Sequence, residues 1–91
     1  MHARLGIRDL AAVQGGLLVL SGPVNEQAVT PAVFHWDDAS NTLRKLADLV
    51  LPVSGKAETL LVLDEHTEGY RVLVMLDGPE NGAPAEYRIP R

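Results

Sequence analysis

Apolar residues along this chain come in short runs, and glycine or proline closes almost every one. Breakers stand at Gly15-Gly16, Gly22-Pro23, Pro31, Pro52, Gly55, Gly69, Gly78-Pro79, Gly82, Pro84 and Pro90. The runs between them have the length of strands and are too short for most helices. The pattern predicts strands over 8–13, 17–21, 32–36, 43–49, 58–64, 70–77 and 85–89, several dominated by Val, Leu and Ile, residues that suit a pleated, buried surface. Gly15-Gly16, between LAAVQ and LLVLSG, reads as a two-residue hairpin in which both central positions can take positive φ. His66–Gly69 reads as a second turn with Gly69 in the left-handed position. One segment carries two periods. In SNTLRKLADLV, Leu43, Leu46, Ala47 and Val50 recur at helical spacing behind Ser40, Asn41 or Thr42 as a cap. A strand instead puts Leu43, Lys45, Ala47 and Leu49 on one face, and the repeat described next favours the strand.

GIRDLAAV (6–13) matches GKAETLLV (55–62), LVLSGPVNE (18–26) matches VMLDGPEN (74–81), and VFHWD (33–37) matches EYRIP (86–90), at offsets of 49, 56 and 53. The chain therefore reads as one β domain over 1–91 with an imperfect repeat, 6–37 and 55–90, in which 43–49 links the units as a fourth strand. LLVL (17–20), TLLVL (59–63) and VLVML (72–76) are apolar on both faces. A strand with one wet face alternates instead. Burial on both faces belongs to sheets stacked between other sheets, as propeller blades are, and a period near fifty is in the propeller range. Two blades cannot close a ring, which takes at least about four. The expected fold is all-β, with antiparallel meander sheets resembling one and a half to two propeller blades.

GIRDLAAVQGGLLVLSGPV, a short strand ending in Trp-Asp, then LRKLADLVLP and KAETLLVLD together resemble a bacterial family of propeller-like proteins known as a domain of unknown function. The likeness covers nearly the whole chain and corresponds to the C-terminal part of a longer family member. Where related propellers tend to read Pro-Glu-Gly, this chain has Ala57-Glu58-Thr59. The resemblance implies a blade-like fold and brings no established activity.

Composition narrows the partners. Twelve acidic against eight basic residues leave a net charge of −4, which argues against nucleic acid or an anionic membrane, since both call for a basic footprint. The absence of cysteine removes disulfides, thiolate chemistry and zinc sites built on cysteine. No apolar run approaches the ~20 residues of a spanning helix, and MHARLGIRDL lacks the apolar core of a signal peptide. A soluble, cytoplasmic protein is the expectation.

Three constellations could carry chemistry. Asp9 and Glu58, at matching places in the repeat, could converge on a propeller channel and hold Ca²⁺ or Mg²⁺. The plainer reading has them accept turn amides or pair with Arg8 or Lys56. Asp64-Glu65-His66-Thr67-Glu68 offers three carboxylates and an imidazole to a divalent metal, but fits no calcium-loop spacing and equally describes a solvated hairpin tip. His35 with Asp37 and Asp38 could form a base dyad, yet Ser21 and Ser54 sit in no nucleophile turn. On a strand His35 shares a face with Val33, while Phe34 and Trp36 point the other way and suit an aromatic anchor at a blade or subunit interface. The leading expectation is a non-catalytic interaction or assembly module, a propeller-like portion completed by oligomerisation, with a dimer favoured. The alternative is a propeller-type hydrolase, a lactonase or phosphoesterase, using a divalent metal on channel carboxylates.

Overall fold

The computed structural model describes residues 5–23, 30–51, 56–77 and 84–91. Seven strands follow one another: β1 (Leu5–Val13), β2 (Gly16–Pro23), β3 (Ala32–Asp37), β4 (Thr42–Asp48), β5 (Lys56–Glu65), β6 (Gly69–Asp77) and β7 (Ala85–Pro90). They form two antiparallel meanders, sheet A in the order β1-β2-β3-β4 and sheet B in the order β5-β6-β7. The fold is all-β, as the breaker pattern predicts, and the ambiguous SNTLRKLADLV segment is strand β4. Its helical period loses because Thr42–Asp48 pairs with β3, so Leu43 lies opposite Trp36 and Ala47 opposite Val33.

The sheets pack face to face. β1 and β2 lie against β5, and β4 lies against β7. The extents of 36 × 33 × 16 Å are those of a slab two sheets thick. Paired residues in a ladder share a face. Leu18 opposite Ala11, and Leu20 opposite Val33, therefore point the same way, into the core. Sheet B answers with Leu60, Tyr70, Val72, Val74 and Ile89, all buried. Leu18, Leu20, Val33, Val72 and Val74 have no exposed surface. Each such side chain stabilises the fold by about 1.5–3 kcal/mol relative to leaving it in water. Tyr87 Oη donates to Val50 O at 2.8 Å and ties β7 to the chain leaving β4.

The hairpins differ from the expectation in detail. Gln14 and Gly15 form the first turn, and Val13 pairs with Gly16. Of the pair Gly15-Gly16, Gly15 has positive φ, at 84°, and Gly16 does not. Gly16 is already in β2, and a Cβ there would run into the Trp36 carbonyl of the neighbouring strand. Gly69 is likewise not left-handed. His66 and Gly69 exchange backbone hydrogen bonds, at 2.7 and 3.3 Å, around Thr67-Glu68. A Cβ on Gly69 would meet the Ile89 carbonyl. Both glycines serve close approach of a third strand rather than a turn.

The two hairpins leave a common mark. Asp38 N donates to Gly15 O, and Arg91 N donates to Glu68 O, both at 3.1 Å, with each member of the second bond 53 positions after its counterpart. Counted on this spacing, Leu17, Val19, Phe34 and Trp36 of sheet A stand where sheet B has Tyr70, Val72, Tyr87 and Ile89.

Candidate functional site

Among the described residues no strand packs on the outer face of sheet A, and Val19, Ser21 and Ala32 on it are buried while its flanks are exposed. Across the ladders, Ile7, Leu10 and Ala12 of β1 share that face with Leu17 and Val19 of β2, Phe34 and Trp36 of β3, and Leu43 of β4. Leu10, Ile7 and Leu43 are 48%, 68% and 56% exposed. Trp36 and Phe34 are half-buried here, on the face opposite His35 and Val33, as the alternation requires. Trp36 Nε1 donates to Asn41 Oδ1 at 2.9 Å, which fixes the indole on the sheet. Among the described residues the charges on this face are Lys45 and Asp48, on edge strand β4, paired with each other at 3.2 Å.

Asp9 and Glu58 lie where β1 meets β5, and neither carboxylate is idle. Asp9 accepts from the backbone N–H of Leu10 at 2.9 Å and of Leu60 at 2.8 Å. Glu58 pairs with the Arg8 guanidinium, whose Nε also donates to Ala57 O at 3.4 Å. Their places in the sheets differ. Asp9 lies opposite Leu20 in the β1–β2 ladder, whereas Glu58 is the extra residue of a bulge in β5. Among the described residues no three His, Cys, Asp or Glu side chains are grouped to hold a metal ion.

The acidic hairpin tip is tied down residue by residue. Arg71 Nη2 donates to Asp64 at 2.6 Å, and Arg71 Nη1 donates to Glu86 at 3.3 Å, linking β5, β6 and β7 on the outer face of sheet B. The guanidinium hydrogen bond and its charge hold the Asp64 carboxyl below the usual aspartate range, while the two carboxylates hold Arg71 above its own. Glu65 accepts from Gln14 N at 3.0 Å and joins the two hairpin tips. A concavity of about 690 Å³ opens beside them, lined by Asp64, His66, Glu68, Tyr70, Arg71 and Arg88. Arg91 covers part of Tyr70, its guanidinium 4.5 Å from the ring centroid.

His35 stacks on Tyr70 across the sheets, with centroids 6.4 Å apart and planes at 19°. Its Nε2 is buried with no hydrogen-bond partner among the described residues. Asp37 is engaged elsewhere, accepting from the N–H groups of Ala39 and Ser40 in the β3–β4 turn at 2.9 and 3.2 Å. Ser21, opposite Ile7 on the outer side of β2, is buried and donates to Ala32 O at 3.3 Å. Ser54 lies outside the described residues.

Residues 2–87 match the model of the family described as protein of unknown function (DUF3616). The chain belongs to that family. No curated protein and no solved structure matches it. In this DUF3616 member the sequence pattern identifies the aromatic pair on the uncovered face but not its apolar surroundings. Ile7, Leu10 and Leu43 lie on flanking strands whose alternation is broken by bulges, at Ile7/Asp9 in β1 and at Val33/Phe34 in the β3–β4 ladder. Arg8, one of the two partners expected for Asp9 and Glu58, reaches Glu58 because the β1 bulge aims its side chain towards sheet B.

Proposed function

We propose that this chain is a non-catalytic assembly module that presents the outer face of sheet A for another sheet to pack on. The observation carrying this reading is a contiguous apolar face on a four-stranded sheet, with charge confined to one edge. Four strands about 4.8 Å apart, over six residues of about 3.3 Å each, present roughly 400 Å² in projection. A patch of that order is comparable to the largest on a typical monomer, which is often a functional surface. β2 fits the same picture, since Val19 on the outer side is as apolar as Leu18 and Leu20 on the inner side. A stacked, blade-like arrangement completed by association accounts for such a strand. The hydrolase reading draws less support, because Asp9 and Glu58 are occupied by backbone amides and Arg8.

Sedimentation velocity on the purified chain tests the proposal. A species larger than the 9.8 kDa monomer is expected at micromolar concentration, and Leu10→Glu is expected to return it to a folded monomer. A wild-type chain that sediments only as a monomer overturns the reading. A melting temperature that rises with added Ca²⁺, Mg²⁺, Mn²⁺ or Zn²⁺ would favour the hydrolase instead.

A further inference from the structure

We infer that the partner on the outer face of sheet A is the same face of a second copy, giving a two-fold dimer with its layers in the order B–A–A–B. This rests on the assembly reading above and adds which surfaces meet. Two surfaces of a second copy could cover the face: its own sheet A, or the outer face of its sheet B. The second would continue the stacking already present inside the chain, where sheet A turns its Leu18 side towards sheet B.

Position-by-position comparison separates them. On the 53-residue spacing, the inward residues Leu18 and Val33 of sheet A correspond to Arg71 and Glu86 on the outer face of sheet B. Leu18 and Val33 are fully buried at the centre of the contact between the sheets. Head-to-tail stacking would therefore put Arg71, Glu86 and the paired Asp64 at the centre of an apolar interface. Their side chains are now 37–46% exposed and hydrated. Desolvating such ions costs more than their mutual attraction returns unless every further hydrogen bond is made. The outer face of sheet B is mixed, with Leu61, Leu73 and Met75 beside the Asp64–Arg71–Glu86 cluster, and it is this cluster that opposes stacking there.

The outer face of sheet A has the opposite character. Its centre carries no charge, and its Lys45 and Asp48 neutralise each other on the β4 edge. Placed against itself about a two-fold axis, apolar centre meets apolar centre, and the contact closes after two copies. Both ends of the resulting stack carry the Asp64–Arg71–Glu86 cluster, whose burial opposes further growth.

The cysteine-free sequence makes the test direct. Leu10→Cys reports on sheet A and Leu61→Cys on sheet B, at positions equally exposed in the single chain, 48% and 47%. Leu43→Cys is a second reporter on sheet A at 56% exposed, for use if Leu10→Cys does not fold by circular dichroism. Alkylation by N-ethylmaleimide is timed at low and high protein concentration. The expected result is that the sheet A thiol slows by roughly tenfold or more as most chains become paired, while the Leu61→Cys thiol keeps its rate. Slowing at both positions means head-to-tail stacking, and slowing at Leu61→Cys alone means sheet B against sheet B. Either overturns this inference, the first leaving the assembly reading intact. No slowing at either, with a monomer by sedimentation, overturns both.

Discussion

Three glycines near the hairpins do two different jobs, and substitution separates them. Gly15 holds φ of 84°, and a Cβ built there meets nothing within 4 Å, so its requirement is conformational alone. Gly15→Ala is expected to cost about 1–2 kcal/mol, the ordinary penalty for a left-handed L-residue, and Gly15→Asn less, because asparagine tolerates that region. Gly16 and Gly69 have ordinary φ but no room, since a Cβ on either would overlap the carbonyl of Trp36 or Ile89. Gly16→Ala and Gly69→Ala must therefore push β3 off β2 or β7 off β6. Both should lower the urea midpoint further than Gly15→Ala. Equal midpoints for the three variants would show that the strands yield easily.

Strand by strand, sheet B has an electrostatic strap that sheet A lacks. Arg71 on β6 reaches Asp64 on β5 and Glu86 on β7. Asp64 has its carboxyl pKa lowered by Arg71, so the folded state binds its proton more weakly than the unfolded chain does. That stabilisation is present above the usual aspartate range and is lost as pH falls through the lowered value. The melting temperature of wild type should thus fall more between about pH 5 and pH 3 than that of Asp64→Asn. Parallel pH profiles would show that the strap contributes nothing, a common outcome for exposed pairs. The strands themselves were largely legible in the sequence because breakers bound them and β-branched residues fill them. Less legible was how one unit maps on the other. The Gly-Pro pairs at 22–23 and 78–79 suggest an offset of 56, whereas the hydrogen bonds of Gly15 and Glu68 set 53. The difference is odd, and side chains alternate with period two, so the two alignments bring opposite faces into correspondence. Asp9 and Glu58 looked equivalent for a related reason. Bulges at Arg8 and Glu58 shift each local register by one, and nothing in the residue types announces a bulge.

At the scale of the whole molecule, one residue reports on whether the slab is complete. Trp36 is the single tryptophan, so the indole emission of the chain comes from the outer face of sheet A alone. In the single chain that ring is half-buried, held by Asn41 and flanked by Leu17 and Leu43. Packing a second apolar sheet over it removes water from its open side, while leaving the inner core unchanged. Raising the protein concentration should therefore shift the emission maximum to the blue and reduce quenching by acrylamide, without altering the far-ultraviolet circular dichroism. Leu10→Glu should abolish the shift, because it places a charge beside Val19 at the centre of the contact. Leu18→Ala provides the contrast. Its side chain has no exposed surface and lies between the two sheets of one chain, so its loss should cost about 2–5 kcal/mol at any concentration. If Trp36 emission is independent of concentration while sedimentation still finds a dimer, the copies meet through a different face. The uncovered apolar surface of sheet A would then need another partner.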